Sequence, residues 1–343
     1  MRAPKREADR ATMPSKTQRS VDLAARQCRT IRARRYLPCS AQMIEDSGRR
    51  DGDRGEPEPL FLSVGCTFGL EAGEPTPAIM QVAPRSEPGV SLLDEWWETT
   101  ARHRGYIDHY GNRCERIAID RGPSTITYQA QVLVHSPSEV IAPDTPETPP
   151  ALLPDEVLSF VMPSRFCLPD ELGNEAWQRF GDLTPGWTRV QAVVDYVHGY
   201  LEYVPGASNS WTTSVDAYQA GQGVCRDFAH LGITFCRALN IPARYVCGYI
   251  PDIDAPPRSD AEGMDFVAWF EAFLDGRWYT FDPRNNCPRV GRIVVGRGRD
   301  AVDVALLTSF GQLTLTDFEV RADRAAPIAE PETWTAAGQL ERR

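Results

Sequence analysis

Three segments between residues 221 and 283 decide the fold. They read GQGVCRDFAHL (221–231), DFVAWFEAF (265–273) and GRWYTFDP (276–283). Apolar residues recur at helical spacing after Cys225, which predicts a helix from the cysteine to about residue 239. Alternating residues on both sides of an Asp-Gly pair at 275–276 predict a β-hairpin. Helices followed by antiparallel strands indicate an α+β domain.

Cys225 is a candidate nucleophile because of its place at the predicted helix start. Unpaired N–H groups and the positive end of the helix dipole favour a thiolate there, which predicts a pKa below the ordinary thiol value of about 8.5. A thiolate in this position can attack an acyl carbon. A cysteine at a helix start can equally be a small buried residue, so this segment alone leaves both interpretations open.

The register of the predicted hairpin brings two further positions into the argument. With a two-residue turn, Leu274 lies opposite Arg277, and counting back places Val267 opposite Arg284. Val267 and Asp282 then share one face as diagonal neighbours, with their Cα atoms about 7–8 Å apart. A histidine at position 267 would be oriented by Asp282 and could reach a thiol on the facing helix.

These three segments resemble the bacterial transglutaminase-like superfamily, and the resemblance extends from about Leu60 to about Val320. It implies a papain-like core, with helices packed on an antiparallel sheet, preceded by a small all-β domain. It also implies a Cys-His-Asp triad, in which Cys225 holds the nucleophile position and Asp282 the position of the orienting carboxylate. The family histidine precedes an Ala-Trp pair, and that place is occupied here by Val267.

Valine can neither accept the thiol proton nor protonate a leaving amine. We therefore expect a catalytically impaired relative of cysteine acyl-transfer enzymes that binds a peptide or protein segment. The alternatives are an active thiol-dependent peptidase, amidase or glutamine acyltransferase using Cys225, and a non-catalytic binding module.

Oxyanion donors would be the Cys225 backbone N–H and Gln219. The sequence leaves the substrate, the choice between hydrolysis and transamidation, and the oligomeric state open.

No other histidine is expected to replace the missing base. His230 lies five residues after Cys225, about 140° round the helix, so its side chain points elsewhere and a structural role is expected. His198 falls on the predicted helix after Pro185 and is expected at the surface. The other histidines, His103, His109 and His135, fall in or beside the β domain.

The chain is expected to divide into five parts. Residues 1–57 form a basic extension that is disordered or follows an unused upstream start, and residues 58–137 form the β domain. Prolines mark 138–156 as a stiff linker. Residues 157–325 form the transglutaminase-like domain, and 326–343 form a tail.

Alternation of apolar residues predicts the strands of the β domain. They are expected near residues 60–68 and 78–82, and at 116–120 and 125–134. The last two flank a Gly-Pro pair, which predicts that they form a hairpin.

Composition limits the function classes. Residues 1–55 hold 14 Lys/Arg and 7 Asp/Glu, whereas the remainder holds 23 and 40, so the folded part is acidic and nucleic-acid binding is disfavoured. Neither a membrane-spanning segment nor a secretory signal is visible. The protein is therefore expected in the cytoplasm, where its nine scattered cysteines, which include no Cys-x-x-Cys motif, are expected to be reduced thiols. We expect no metal and no cofactor.

Overall fold

The computed structural model describes residues 58–136, 138–253 and 265–326. The predicted basic extension, residues 254–264 and nearly all of the predicted tail lie outside the described residues. No helix in the described part of the chain is both long and apolar enough to cross a membrane.

The elements follow one another in two groups. The first group contains strands β1 (Leu60–Ala72), β2 (Thr76–Met80), β3 (Val90–Glu98), β4 (Arg102–Ile107), β5 (Arg113–Ile119) and β6 (Gly122–Val134). Short 3-10 helices at Pro150–Leu152 and Asp155–Phe160 connect it to the second group. The second group contains α1 (Pro169–Phe180), α2 (Trp187–Tyr200), β7 (Glu202–Tyr203), α3 (Ser214–Ala220), β8 (Gln222–Gly223), α4 (Cys225–Ala238), β9 (Ala243–Tyr249), β10 (Val267–Leu274), β11 (Arg277–Phe281), β12 (Ile293–Gly298), β13 (Leu307–Ser309) and β14 (Leu313–Arg324).

The amino-terminal strands form two sheets around a shared apolar core. The long sheet has the strand order β14-β1-β6-β3, and the short sheet has the order β13-β2-β5-β4. The side chains of β6 alternate between buried and partly exposed, as the sequence pattern predicts. The inward-facing residues of β6 and those of β5, such as Ile117 and Ile119, belong to one cluster.

The predicted hairpin at 116–134 is wrong, although both of its strands exist. β5 pairs with β2 and β4, whereas β6 pairs with β1 along its whole length and with β3. The chain passes from the short sheet to the long sheet at Gly122, whose φ of 102° suits glycine. Alternation fixes which face of a strand is buried but not which strand lies beside it.

The second group forms an α+β core, as predicted. The core sheet has the order β11-β10-β9-β12, and its neighbouring strands are antiparallel. Helix α4 packs on β10 and β9, and its glycine at 232 lies against the ring of Phe270. Nearly every side chain of α4 after its first turn is buried, so this helix is the centre of the core.

Strands β13 and β14 return from the end of the described chain to the amino-terminal sheets. β14 pairs with β1 and β13 pairs with β2. Both strands fall in the range 157–325 expected for the transglutaminase-like domain, so the described part of the chain contributes to the β sheets before and after the α+β core. The linker boundary at 138–156 stays a prediction.

Candidate active site

Helix α4 begins at Cys225, as the sequence predicts. Gly221 ends α3 with a left-handed φ of 68°, which lets the chain turn sharply before α4. A Cβ atom at Gly223 would lie 2.7 Å from the Cβ of Asp227, so only glycine fits there. The Asp227 carboxylate accepts the backbone N–H of Val224 at 2.8 Å and thereby caps the helix that carries the thiol.

The Cys225 thiol is half-buried in apolar surroundings. Its Sγ lies 3.8 Å from the carbonyl oxygen of Phe266, and it packs against a cluster of Val246, Ile250, Val267 and Trp269. Burial raises the pKa of the thiol above its ordinary value, although the nearby Arg284 guanidinium acts in the opposite direction. The predicted lowering of this pKa is therefore wrong, because desolvation outweighs the helix start and the arginine.

Val267 is the first residue of β10 and is 1% exposed. It pairs with Gly248 of β9 and not with Arg284, because β11 ends at Phe281 and the chain then turns. The register near the turn is nevertheless as predicted, with Leu274 opposite Arg277. The position expected of a histidine is thus filled by an aliphatic side chain beside the thiol.

Asp282 lies directly after β11 and is buried. Its Oδ1 accepts the backbone N–H groups of Arg284 and Asn285, both at 3.0 Å. Its Oδ2 accepts the Asn285 side-chain amide and the Arg292 guanidinium, both at 2.7 Å. Burial alone would raise the pKa of this carboxyl, but the charge of Arg292 and the Asn285 bonds hold it below its ordinary value. Four hydrogen bonds occupy the four lone-pair directions of the carboxylate.

Arg292 is a site residue that the sequence analysis missed. Its side chain is 7% exposed and bridges Asp282 to Glu139, and its guanidinium carbon lies 4.7 Å from the centre of the Trp269 ring. Glu139 is 153 residues away along the chain. No local sequence pattern joins such distant residues, so only the fold could reveal this ion pair.

The histidines that the structure describes do not hydrogen-bond to Cys225 or Asp282. His230 is fully buried, where its Nε2 accepts the Ala301 backbone N–H at 3.1 Å and its ring stacks on Phe166. His198 is exposed on α2 and lies 3.1 Å from the Pro283 carbonyl oxygen through Nδ1. These positions agree with the structural and surface roles expected from the sequence.

Other predicted residues take the following places. Gln219 is exposed on α3, and its assignment as an oxyanion donor stays a prediction. Arg226 and Asp227, next to each other in the chain, form a local ion pair, with 3.5 Å between nitrogen and oxygen. Among the described residues, no three His, Cys, Asp or Glu side chains are grouped so that they could hold a metal ion.

A family profile and a solved structure both match this chain. A profile described as the transglutaminase-like superfamily matches residues 176–283, a range that contains Cys225, Val267 and Asp282. A solved structure of a candidate cysteine protease from Cytophaga hutchinsonii superposes with a TM-score of 0.71 at 30% identity. The match covers 80% of this chain and 94% of that one.

Two uncharacterized mycobacterial proteins match a shorter region. The protein of Mycobacterium leprae is 38% identical over 120 residues, which are 34% of this chain and 42% of that protein. The protein of Mycobacterium tuberculosis is 40% identical over 110 residues, which are 30% of this chain and 35% of that protein. The matched region therefore spans less than half the length of these two curated relatives.

Proposed function

Because the chain belongs to the transglutaminase-like superfamily, we propose that it is a catalytically impaired member that keeps the cleft at Cys225 and binds a peptide or protein segment there. The single observation that carries this proposal is the burial of Val267 in the apolar cluster against which Cys225 packs. Acyl transfer needs a base that takes the thiol proton and later returns a proton to the leaving amine. An aliphatic side chain does neither.

The surroundings of Asp282 and Cys225 support the same conclusion. All four lone-pair directions of the Asp282 carboxylate are used by Arg284, Asn285 and Arg292, so it serves the turn after β11 and an ion pair. Burial raises the pKa of the Cys225 thiol, which disfavours the thiolate that would attack an acyl carbon. Removing one member of a catalytic triad costs several powers of ten in rate, because the members act together.

The catalytic half of the proposal is tested by turnover. Peptide hydrolysis, ammonia release from glutaminyl peptides and amine incorporation would be measured for the wild type, Cys225→Ala and Val267→His. We expect the wild type to match Cys225→Ala, and Val267→His to exceed both by at least about tenfold. The retained thiol favours one alternative, an active thiol-dependent peptidase, amidase or glutamine acyltransferase. Wild-type turnover equal to that of Val267→His would establish this alternative and overturn the proposal.

The binding half is tested with the unmodified protein. A library of random short peptides would be screened for those that slow the alkylation of Cys225 by iodoacetamide at alkaline pH. We expect a subset to protect the thiol, because an occupant of the cleft covers it. A library without any protecting peptide would contradict the proposed binding role.

A further inference from the structure

A loop of residues 203–213 begins beside the segment that carries Cys225, and we call it the rim loop. Tyr203 pairs with Gly223, and the Val204 backbone N–H donates to the Gly223 carbonyl at 3.0 Å. Gly223 is two residues before Cys225. The rim loop ends at the start of α3 and contains neither aspartate nor glutamate. Its start is therefore fixed next to the thiol, and it brings no negative charge.

Three arginines from separate parts of the chain converge on the rim loop, and we call them the arginine rim. The guanidinium carbon of Arg284 lies 4.0 Å from the centre of the Tyr203 ring, at the first residue of the loop. Arg226 donates to the Ser208 hydroxyl at 3.0 Å and to the Asn209 carbonyl at 2.9 Å. The guanidinium carbon of Arg165 lies 5.2 Å from the Trp211 ring centre, near the end of the loop.

Among the described residues, only one of the three arginines of the arginine rim is paired with a carboxylate. Within the described ranges, no carboxylate oxygen lies within 4.0 Å of the Arg165 or Arg284 guanidinium, whereas Arg226 has only the buried Asp227. In contrast, Arg292, Arg244 and Arg297 of the same domain are each paired with carboxylates. A guanidinium stacked on a ring face keeps its N–H edge available for a ligand.

The charge balance of the sequence after residue 55 makes this patch stand out. Residues after 55 hold 40 acidic against 23 basic side chains, so a polyanion such as nucleic acid is repelled by the surface as a whole. A short segment with a few carboxylates avoids most of that repulsion and can pair with guanidinium groups in bidentate geometry. Trp211, 71% exposed beside Arg165, offers an apolar face for a neighbouring residue of the same segment.

We infer that the arginine rim binds a peptide segment bearing Asp or Glu side chains and holds it across the Cys225 cleft. This inference rests on the proposed function, since it names the class of segment that the cleft accepts. A carboxylate bound at Arg284 is close to the thiol, because Arg284 is near enough for its charge to act on Cys225. Recognition of the bound segment is then electrostatic at the rim and apolar at Trp211.

The test uses the full chain and two labelled short peptides that differ only in having glutamates or glutamines at alternate positions. We expect the glutamate peptide to bind more tightly, to lose affinity as salt is raised, and to slow Cys225 alkylation. Arg284→Gln and Arg165→Gln are each expected to weaken its binding by about two- to fivefold. They should leave the glutamine peptide unaffected.

Arg321→Gln is the matched control, because Arg321 is an exposed arginine on β14 that pairs with Glu319. It should not change the affinity for either peptide. Equal binding of the two peptides would overturn the inference, as would a single-stranded oligonucleotide that displaces the glutamate peptide at equal concentration. Failure of the glutamate peptide to bind would also overturn it. The proposed function is judged separately, by whether the random library contains any protecting peptide.

Discussion

Val267 fills a place in which an imidazole would share contacts with the thiol of Cys225. Its side chain belongs to an apolar cluster with Val246, Ile250 and Trp269, so the surroundings are adapted to an aliphatic group. A polar ring in this cluster would lack partners for at least one nitrogen. The substitution that restores a base therefore also carries a cost in folding stability.

We predict that Val267→His lowers the pH midpoint of Cys225 alkylation and destabilises the fold by about 1–2 kcal/mol. In the wild type the rate should rise only above the ordinary thiol pKa of about 8.5, because burial raises the pKa. Val267→Thr is the matched control, since it adds a polar group without a base and should leave the midpoint unchanged. Identical alkylation profiles for Val267→His and wild type would contradict the prediction.

The buried His230 makes the folding stability of the protein depend on pH. Burial lowers its pKa well below the ordinary 6.5, and the charges of Arg226 and Arg237 act in the same direction. As the pH falls, His230 therefore becomes protonated in the unfolded chain while it stays neutral in the folded protein. The stability that neutral His230 contributes is present above about pH 6.5 and is lost as the pH falls below that value.

We predict that the stability advantage of wild type over His230→Gln shrinks by about 1 kcal/mol between about pH 7 and pH 5.5. Glutamine can accept the Ala301 N–H but does not titrate, so the comparison isolates the imidazole. Urea unfolding at a series of pH values measures the difference. Parallel stability curves for the two proteins would show that His230 does not titrate with folding.

The elements near the site follow from local sequence, but their partners do not. Helix α4 matches its predicted range because apolar residues recur at helical spacing along its whole length, and because Asn240, with a φ of 64°, ends it. The β10–β11 hairpin matches because Asp275 and Gly276 adopt positive φ values of 45° and 81°. The hairpin expected at 116–134 fails because the chain crosses between sheets at Gly122. Turn chemistry is local, whereas strand pairing depends on the whole fold.

Gly248 shows how closely the elements of the core sheet approach one another. It lies on β9 between β10 and β12, and an added Cβ would be 2.0 Å from the Ile293 carbonyl oxygen and 2.9 Å from the Trp269 ring. The pairing of β12 with β9 shifts its register at this point. Gly248 also pairs with Val267, so the close packing of these strands positions the site.

We predict that Gly248→Ala destabilises the protein by about 2–3 kcal/mol, because a carbonyl group and a packed ring must move. Gly173→Ala is the matched control: Gly173 lies in α1, and nothing lies within 4 Å of the added Cβ. It should stabilise by about 0.5–1 kcal/mol through helix propensity. Thermal unfolding of both variants measures the change in stability. Similar changes for Gly248→Ala and Gly173→Ala would refute the packing argument.

At the scale of the whole molecule, the sequence yields the fold class and the positions of Cys225, Val267 and Asp282. It yields neither the ion pair that fixes Asp282 nor the return of β14 to the long sheet. Both depend on residues far apart along the chain, such as Arg292 and Glu139, and no periodic pattern reports such contacts. The direction of the Cys225 pKa was likewise beyond prediction, because it depends on how many groups enclose the thiol.

The return of β14 has a consequence for the stability of the amino-terminal sheets. β14 pairs with β1 from Leu62 to Ala72, and β13 adds an edge to the short sheet. We predict that a chain ending at residue 306 aggregates or loses cooperative unfolding, because β1 is then left with an unpaired, strongly apolar edge. A chain ending at residue 326 is the control, since it retains every described strand. Calorimetry of the two truncated chains decides the matter: an unchanged unfolding midpoint in the shorter one would mean that the sheets are stable without their carboxyl-terminal strands.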